Sequence, residues 1–299
     1  MYINPYADLS GGRWIKANFH THAGTGEGTC GRWPIDFVLS LYKGLNYGAV
    51  CISNHDLYTD TAHLDDGGMC LIQGVEYSQN EHMLTIGINK SVHELGHQDA
   101  IDETARCGGF TILCHPNWQR KEYWPHEKID ALNGYAGMEV INMLIYRLSG
   151  SGLALDTWDH VLRRGKLVYG FGDDDYHMPF DAGRGFTHIY VNGYGYGELK
   201  KSIDGGRFTA STGLQLEYLR LEDGIIKTKV TFLTETYVDN FLYKFVTESG
   251  TVAEVNGREA AYKINGESYI RVEAAAENGA LLFTQPVWKK EFFGGGRHA

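Results

Sequence analysis

Apolar positions in the first two-thirds of the chain fall into short runs separated by segments of helical period. The runs Trp14–Phe19, Ala49–Ser53, Cys70–Val75, His82–Ile88, Phe110–Cys114, Gly137–Ile141, Leu167–Phe171 and Phe186–Val191 predict strands. Several are apolar on both faces, as strands buried in a parallel sheet are. Between them, Pro34–Tyr47 predicts a helix that opens on proline, carries Phe37, Val38 and Leu41 as a stripe, and stops before Gly48. Gln98–Cys107 runs into Gly108-Gly109, Leu155–Arg164 ends on two arginines before Gly165, and Tyr196–Ile203 runs toward Gly205-Gly206. Glycines at those points release the chain from the helix, and the arginines complement its C-terminal partial charge. The alternation predicts an α/β fold with a closed or nearly closed barrel, and in such barrels the chemistry sits at the C-terminal strand ends.

From Gly213 onward the helical period fades. Leu214–Leu221, Ile225–Leu233, Asn240–Thr247, Ala260–Ile264, Tyr269–Ala274 and Ala280–Trp288 predict strands, joined by turns such as Asp223-Gly224, Asn265-Gly266 and Asn278-Gly279. The expected division is residues 1–212 as a barrel and residues 213–299 as a small all-β, sandwich-like domain. The aromatics of that domain, Tyr218, Phe232, Phe241, Tyr243, Phe245 and Trp288, read as core. The last residues, 294–299, read as a frayed tail.

Composition narrows the function. A hydrophobic content of 43% over 299 residues suits an ordinary core, and a net charge of −10 argues against stable binding of duplex nucleic acid. It leaves room for a small phosphorylated substrate or a short oligonucleotide, because bound cations would dominate the local field. The five cysteines show no CxxC spacing and read as reduced thiols of a cytoplasmic protein. No run approaches the roughly 20 apolar residues of a membrane span, and the first residues lack a basic segment followed by an apolar one. A soluble, unexported chain is therefore expected.

The candidate chemistry lies at the strand ends. His20-Thr-His22 follows the first strand, and side chains two apart on a strand point the same way. His55, Glu76, His82, His115, Asp175 and His177 recur at or near the ends of later apolar runs. A lone histidine in a chain with 13 is more often a surface or hydrogen-bonded residue, and His63, His93, His97, His126, His160, His188 and His298 are set aside on that ground. The recurrent set is different, because buried imidazoles and carboxylates gathered together need cations or a dense hydrogen-bond network. The donors are nitrogen and oxygen with no cysteine in the pattern, which suits zinc, manganese or iron in a hydrolytic site. So many donors exceed one ion and fit two or three divalent ions, with Glu76 able to bridge two of them.

The order of these motifs (HxH, an acidic residue before glycine, His-Asp, Gly-x-Glu, His-Pro, Asp-x-His) resembles the PHP (polymerase and histidinol phosphatase) family. The resemblance runs from Asn18 to Gly213 and includes the stretch Gly206–Gly213. It implies a distorted (β/α)7 TIM-like barrel, usually with three metals, that hydrolyses phosphate esters. By that resemblance His20 and His22 hold the first metal, Glu76 bridges, and His82, His115 and Asp175 complete the cluster. Glu27, where relatives usually carry aspartate, would hold a third metal with His55 and His177. Within Asp173-Asp174-Asp175 only Asp175 has the D-x-H spacing. Glu139 and Asn142 resemble a stretch often near the cavity.

The expected activity is that of a metal-dependent phosphoesterase acting on a mono- or diester, such as a nucleotide, sugar phosphate or short oligonucleotide, through a hydroxide bridging the metals. Glu76, Asp175 and His177 are the candidate catalytic residues, the last two also able to manage a proton. Arg184, in a Gly-Arg-Gly loop after the last metal motif, and Arg147 are candidates for gripping phosphate, since a guanidinium pairs two oxygens at once. Two other readings remain open: a metal-dependent amide or lactone hydrolase, and a non-catalytic binding protein on the same fold.

Overall fold

The computed structural model describes residues 1–121, 123–234 and 240–293. The chain begins with a two-residue strand, β1 (Tyr2–Ile3), followed by β2 (Arg13–Asn18), α1 (Ile35–Gly44), β3 (Tyr47–Ile52), β4 (Cys70–Tyr77) and β5 (Met83–Ile86). It continues through α2 (His97–Arg106), β6 (Phe110–Leu113), the short α3 (His126–Ala131), β7 (Gly137–Asn142), α4 (Leu155–Arg163) and β8 (Tyr169–Asp173). Then come β9 (Phe186–Val191), α5 (Tyr196–Asp204) and β10 (Phe208–Ser211). β2 to β10 lie side by side in the order β10-β9-β2-β3-β4-β5-β6-β7-β8, part of a larger sheet.

The closed or nearly closed barrel expected from the alternation is not completed: the sheet is mixed and its hydrogen-bonded order does not close. β2–β3, β3–β4, β6–β7 and β7–β8 are parallel, whereas β5 runs antiparallel to both neighbours and β9 antiparallel to β2 and β10. β8 ends the hydrogen-bonded order. Side chains replace a closing ladder along its free edge. Gly172 N–H donates to Thr187 Oγ1 of β9 (3.1 Å), whose hydroxyl lies 3.0 Å from Gly172 O. Gln285 accepts from Gly170 N–H (2.9 Å) and donates to Gly170 O (2.8 Å). The free-edge backbone groups of Gly170 and Gly172 are thus satisfied without a second strand beside β8.

The interior of this sheet is filled by Phe19, Cys51, Leu84, Ile112, Phe171 and Phe208. On α1 the buried residues are Val38, Leu39 and Tyr42, so the stripe is rotated by about one position from the sequence reading. Phe37 is instead exposed and stacks on Trp33.

The remaining strands are β11 (Leu214–Glu222), β12 (Ile225–Phe232), β13 (Phe241–Thr247), β14 (Gly250–Gly257), β15 (Ala260–Lys263), β16 (Tyr269–Ala276), β17 (Leu281–Thr284) and β18 (Val287–Lys289). β11, β12 and β15 form a separate sheet. Leu216, Ile226 and Val230 from it share a core with Tyr243, Phe245 and Val272 from β13 and β16. The predicted strand Ala280–Trp288 is split into β17 and β18 at Gln285-Pro286, where proline has no N–H for a ladder. β14 escaped the sequence reading because much of it faces solvent. Phe241, Tyr243, Phe245 and Trp288 are buried. The expected tail, residues 294–299, lies outside the described residues.

The C-terminal strands are stitched to the rest. β17 pairs antiparallel with β10, and β1 pairs with β18. Arg271 on β16 reaches α4, where its guanidinium makes paired bonds of 2.8 and 2.9 Å to Asp159 and lies over the ring of Trp158. A buried guanidinium needs such a fork of acceptors to offset its desolvation.

Candidate metal centre

Strand direction explains which side chains meet. β2, β3, β6 and β8 all run toward one mouth, and the chain delivers His20 and His22, His55, His115, and Asp175 and His177 just beyond their ends. Glu76 sits near the end of β4. β5 is antiparallel to β4 with Tyr77 opposite Met83, so His82 arrives at the same mouth from the start of its strand. Glu139 and Asn142 rise from β7. The structure therefore brings together eight of the nine ligands expected from sequence.

Glu76 is the hub. Its Oε2 lies 3.3 Å from His20 Nε2, 3.2 Å from His22 Nε2 and 2.8 Å from His55 Nδ1. Its Oε1 faces His82 Nδ1 at 2.8 Å and His115 Nε2 at 3.6 Å. Asp175 closes the other side, with Oδ1 3.3 Å from His20 Nε2, 3.4 Å from His22 Nε2 and 3.4 Å from His177 Nδ1. The neighbouring aspartates turn elsewhere: Asp173 accepts the Phe19 N–H, and Asp174 accepts the N–H groups of Gly183, Arg184 and Gly185 with the Tyr42 hydroxyl.

His20, His22 and Glu76 are fully buried. His20 Nε2, His22 Nε2, His55 Nδ1, Glu76 Oε2 and Asp175 Oδ1 are buried atoms without a hydrogen-bond partner. Such orphaned atoms are costly in a folded protein. Here their lone pairs converge, which is the arrangement a cation relieves. Burial alone would push the Glu76 carboxyl up, but His20 and His55 hold it well below the usual range. Burial likewise opposes charge on His20, yet Asp175, Glu76 and Glu139 raise it well above an ordinary imidazole. His55 is raised to about 9, chiefly by Glu76 against the opposing effect of burial.

Glu139 and Asn142, which the resemblance put only near the cavity, hold this arrangement. Glu139 Oε1 lies 2.7 Å from His20 Nδ1, and its Oε2 accepts from His115 N–H at 2.6 Å and from the Asn142 amide at 2.7 Å. The same amide donates to Asp175 Oδ2 at 3.1 Å. Strain is stored here too: His115 and Asp175 have φ of 31° and 51°, uncommon for residues with a Cβ and typical of sites the surroundings over-determine.

Glu27 stands apart. Gly26-Glu27-Gly28 forms the tip of a turn closed by Thr29 N–H to Gly26 O at 3.3 Å, and the side chain faces solvent. Cys30, which the nitrogen-and-oxygen reading of the motifs passed over, is the residue of that loop which enters the cluster. Its Sγ is 3.3 Å from His22 Nδ1 and 3.6 Å from His177 Nε2. Burial opposes ionisation of this thiol, but His177, His22 and His55 outweigh it and hold it at about 4.

The centre opens into a cavity of about 430 Å³ lined by Cys30, His55, Glu76, His82, His115, Asp175 and His177, with Trp118, Leu144, Leu148 and Met178 as its apolar wall. Arg32 and Arg147 also line it. Arg147 forms a fork onto the buried Asp181, with two bonds of 2.9 Å, and Asp181 in turn accepts the backbone N–H of His177 and Met178. The Arg184 side chain is exposed and does not line the cavity.

No protein-family model and no curated protein matches the chain. Among solved structures it is similar to a two-domain protein containing a predicted PHP-like metal-dependent phosphoesterase from Bacteroides vulgatus, with a TM-score of 0.52 and 16% identity over 94% of this chain and 97% of the other. A lesion-specific endonuclease, EndoQ from Pyrococcus furiosus, gives a TM-score of 0.48 at 14% identity over 64% of this chain and 56% of the other. PsfC from Pseudomonas syringae gives 0.47 at 12% identity over 64% and 87%. The first likeness spans nearly the whole of both chains, and the mixed α/β fold is shared with that protein.

Proposed function

We propose that this chain is a metal-dependent phosphoesterase. The observation that carries the reading is the Glu76 carboxylate, whose two oxygens face two different sets of imidazoles across a buried cluster of unpartnered donor atoms. Two or three divalent ions, zinc, manganese or iron, fit that donor set, with His20, His22 and Asp175 on one side of Glu76 and His82 and His115 on the other. Such ions, when bound, make a water acidic enough to ionise near neutral pH and neutralise charge on phosphoryl oxygens.

The protein's own part is positional. Glu139 fixes the proton of His20 on Nδ1, which leaves Nε2 as a lone pair for the centre. Asn142 and Asp181 hold Asp175 and the His177 backbone in place. Arg147 keeps a guanidinium at the cavity wall, oriented by Asp181, for a phosphate oxygen. The wall of Trp118, Leu144, Leu148 and Met178 receives the alcohol portion of the ester and excludes water. His177 stands half-buried at the mouth, beside the cavity.

In this reading residues 1–212 form the catalytic part as a distorted barrel. Residues 213–299 brace it through Gln285 and Arg271. The five cysteines are all free, which suits a reducing, cytoplasmic compartment. The test is turnover of p-nitrophenyl phosphate and bis-p-nitrophenyl phosphate by the metal-loaded protein, with loss on chelation and recovery with manganese or zinc. Failure across a panel of mono- and diesters, with turnover of an amide or lactone instead, would replace the reading.

A further inference from the structure

The loop between His22 and α1 is built to deliver one side chain to the centre. Gly31 passes so close to the His22 carbonyl that a Cβ there would stand 2.1 Å from its oxygen. Gly24 N–H donates to Trp33 O at 2.7 Å, and the Thr29 hydroxyl bonds Gly24 O and Gly26 O at 2.9 and 2.7 Å. These contacts turn Glu27 outward and Cys30 inward.

The donor atoms of His22, Cys30, His55 and His177 all lie within 4.8 Å of one another. A tetrahedral ion with bonds of about 2.0–2.1 Å to nitrogen and about 2.3 Å to sulfur spaces its donors roughly 3.3–3.6 Å apart. Cys30 Sγ meets that spacing to His177 Nε2, at 3.6 Å, and lies 3.3 Å from His22 Nδ1. The His177 tautomer fits as well. Its Nδ1 lies 3.0 Å from the Asp175 carbonyl, so it carries the proton and Nε2 is left free toward the sulfur. His22 is committed through Nε2 to Glu76 and Asp175. Its Nδ1 therefore serves as a donor to the sulfur rather than as a further ligand.

We propose that Cys30 is a thiolate ligand, with His55 and His177, of a zinc-type ion beside the Glu76 cluster, in the position the sequence motif gives to Glu27. The three protein ligands leave a fourth position open toward the cavity, as catalytic zinc sites do. Sulfur makes this position softer than the nitrogen-and-oxygen positions around Glu76. Zinc and cobalt should hold there against manganese and magnesium. The same sulfur receives the His22 Nδ1–H and so ties this ion to the ligands of the next one.

The inference rests on the proposed metal-dependent chemistry only in requiring a divalent-ion cluster. It is tested on the full chain loaded with cobalt(II), read by absorption rather than by turnover. The expected result is a near-ultraviolet thiolate-to-cobalt band that is lost in Cys30→Ser and retained in Glu27→Gln, with about one fewer zinc per chain in Cys30→Ser by elemental analysis. Should Cys30→Ser fail to fold, alkylation of the wild-type protein gives the answer. Zinc should protect Cys30 from iodoacetamide, read by peptide mass spectrometry, while the exposed Cys107 stays reactive. Cobalt bound without the thiolate band, a band that survives Cys30→Ser, or Cys30 alkylated equally with and without zinc overturns the cysteine ligand and leaves the phosphoesterase reading standing. Absence of bound cobalt altogether removes both.

Discussion

His20 Nδ1 and Glu139 Oε1 are 2.7 Å apart, with both side chains wholly buried. With a metal held on Nε2, the one remaining imidazole proton of His20 is on Nδ1 and faces this carboxyl group. Partners of this kind fix the orientation and basicity of metal-ligating histidines, and losing one typically costs 10–100-fold in metal affinity or activity. Glu139→Gln should fall in that range for zinc affinity in competition with a chromophoric chelator. Its far-ultraviolet circular dichroism should be unchanged, since an amide still fills the space.

Glu76→Gln should act more severely. The amide keeps one acceptor oxygen but turns an NH2 toward one of the two sets of imidazoles that Glu76 now faces. At least about a 100-fold loss of phosphoesterase turnover is expected, since a shared ligand counts for more than its outer partners. Elemental analysis should show ion loss on both sides of the carboxylate.

Metal should also stabilise the fold. Ions that bind only the folded chain add about 2.7 kcal/mol at 100-fold excess over Kd. For a chain of this size that is a rise in Tm of several degrees, at roughly 2–4 °C per kcal/mol. Differential scanning calorimetry with zinc against chelator should show it, and Glu76→Gln should lose most of it.

His188 sets an acid limit independent of the centre. Burial, aided by the charge of Lys16 beside it, holds its imidazole down to about 3. In the unfolded chain it titrates near about 6.5. The unfolded state therefore binds the extra proton between these values, and the stability that neutral His188 contributes is complete above about pH 6.5 and drains away as pH falls toward 3. Between about pH 6.5 and 5 this amounts to roughly 2 kcal/mol. Urea unfolding of metal-free protein at several pH values should show that slope, and His188→Phe, which keeps the stack on Trp14, should remove it.

Arg147→Lys should raise KM for a phosphate ester by about 10-fold with a smaller effect on kcat. An ammonium cannot reproduce the fork onto Asp181 that now aims the guanidinium. Arg184→Ala should leave both parameters near wild type, since that side chain is outside the cavity. Steady-state kinetics on p-nitrophenyl phosphate separates the two.

Much of this was readable from residue pattern. Eight of the strands surrounding the centre and four helices lie close to where apolar periodicity put them, because each must bury one or both faces. The cover of the sheet's free edge was not readable. It depends on Thr187 and Gln285 reaching the free edge of β8, and Gln285 comes from a strand connection more than a hundred residues away. The histidines and Asp175 were found by spacing, since chemistry on one mouth demands recurrence at strand ends. Cys30 and Glu27 could not be sorted that way. Both lie in one glycine-rich loop, and its tertiary contacts, among them Gly31 against His22, set which of them turns inward. Glu139 sits inside a strand, so its spacing carries no mark of the two histidines it orients.

The proposed chemistry requires divalent ions on either side of the Glu76 carboxylate. Anomalous diffraction at the zinc edge from crystals soaked in zinc measures this directly. At least two peaks flanking that carboxylate are expected, each about 2.0–2.2 Å from nitrogen and oxygen donors of His20, His22, His82, His115 or Asp175. A zinc-saturated crystal with no peak near Glu76 would contradict it.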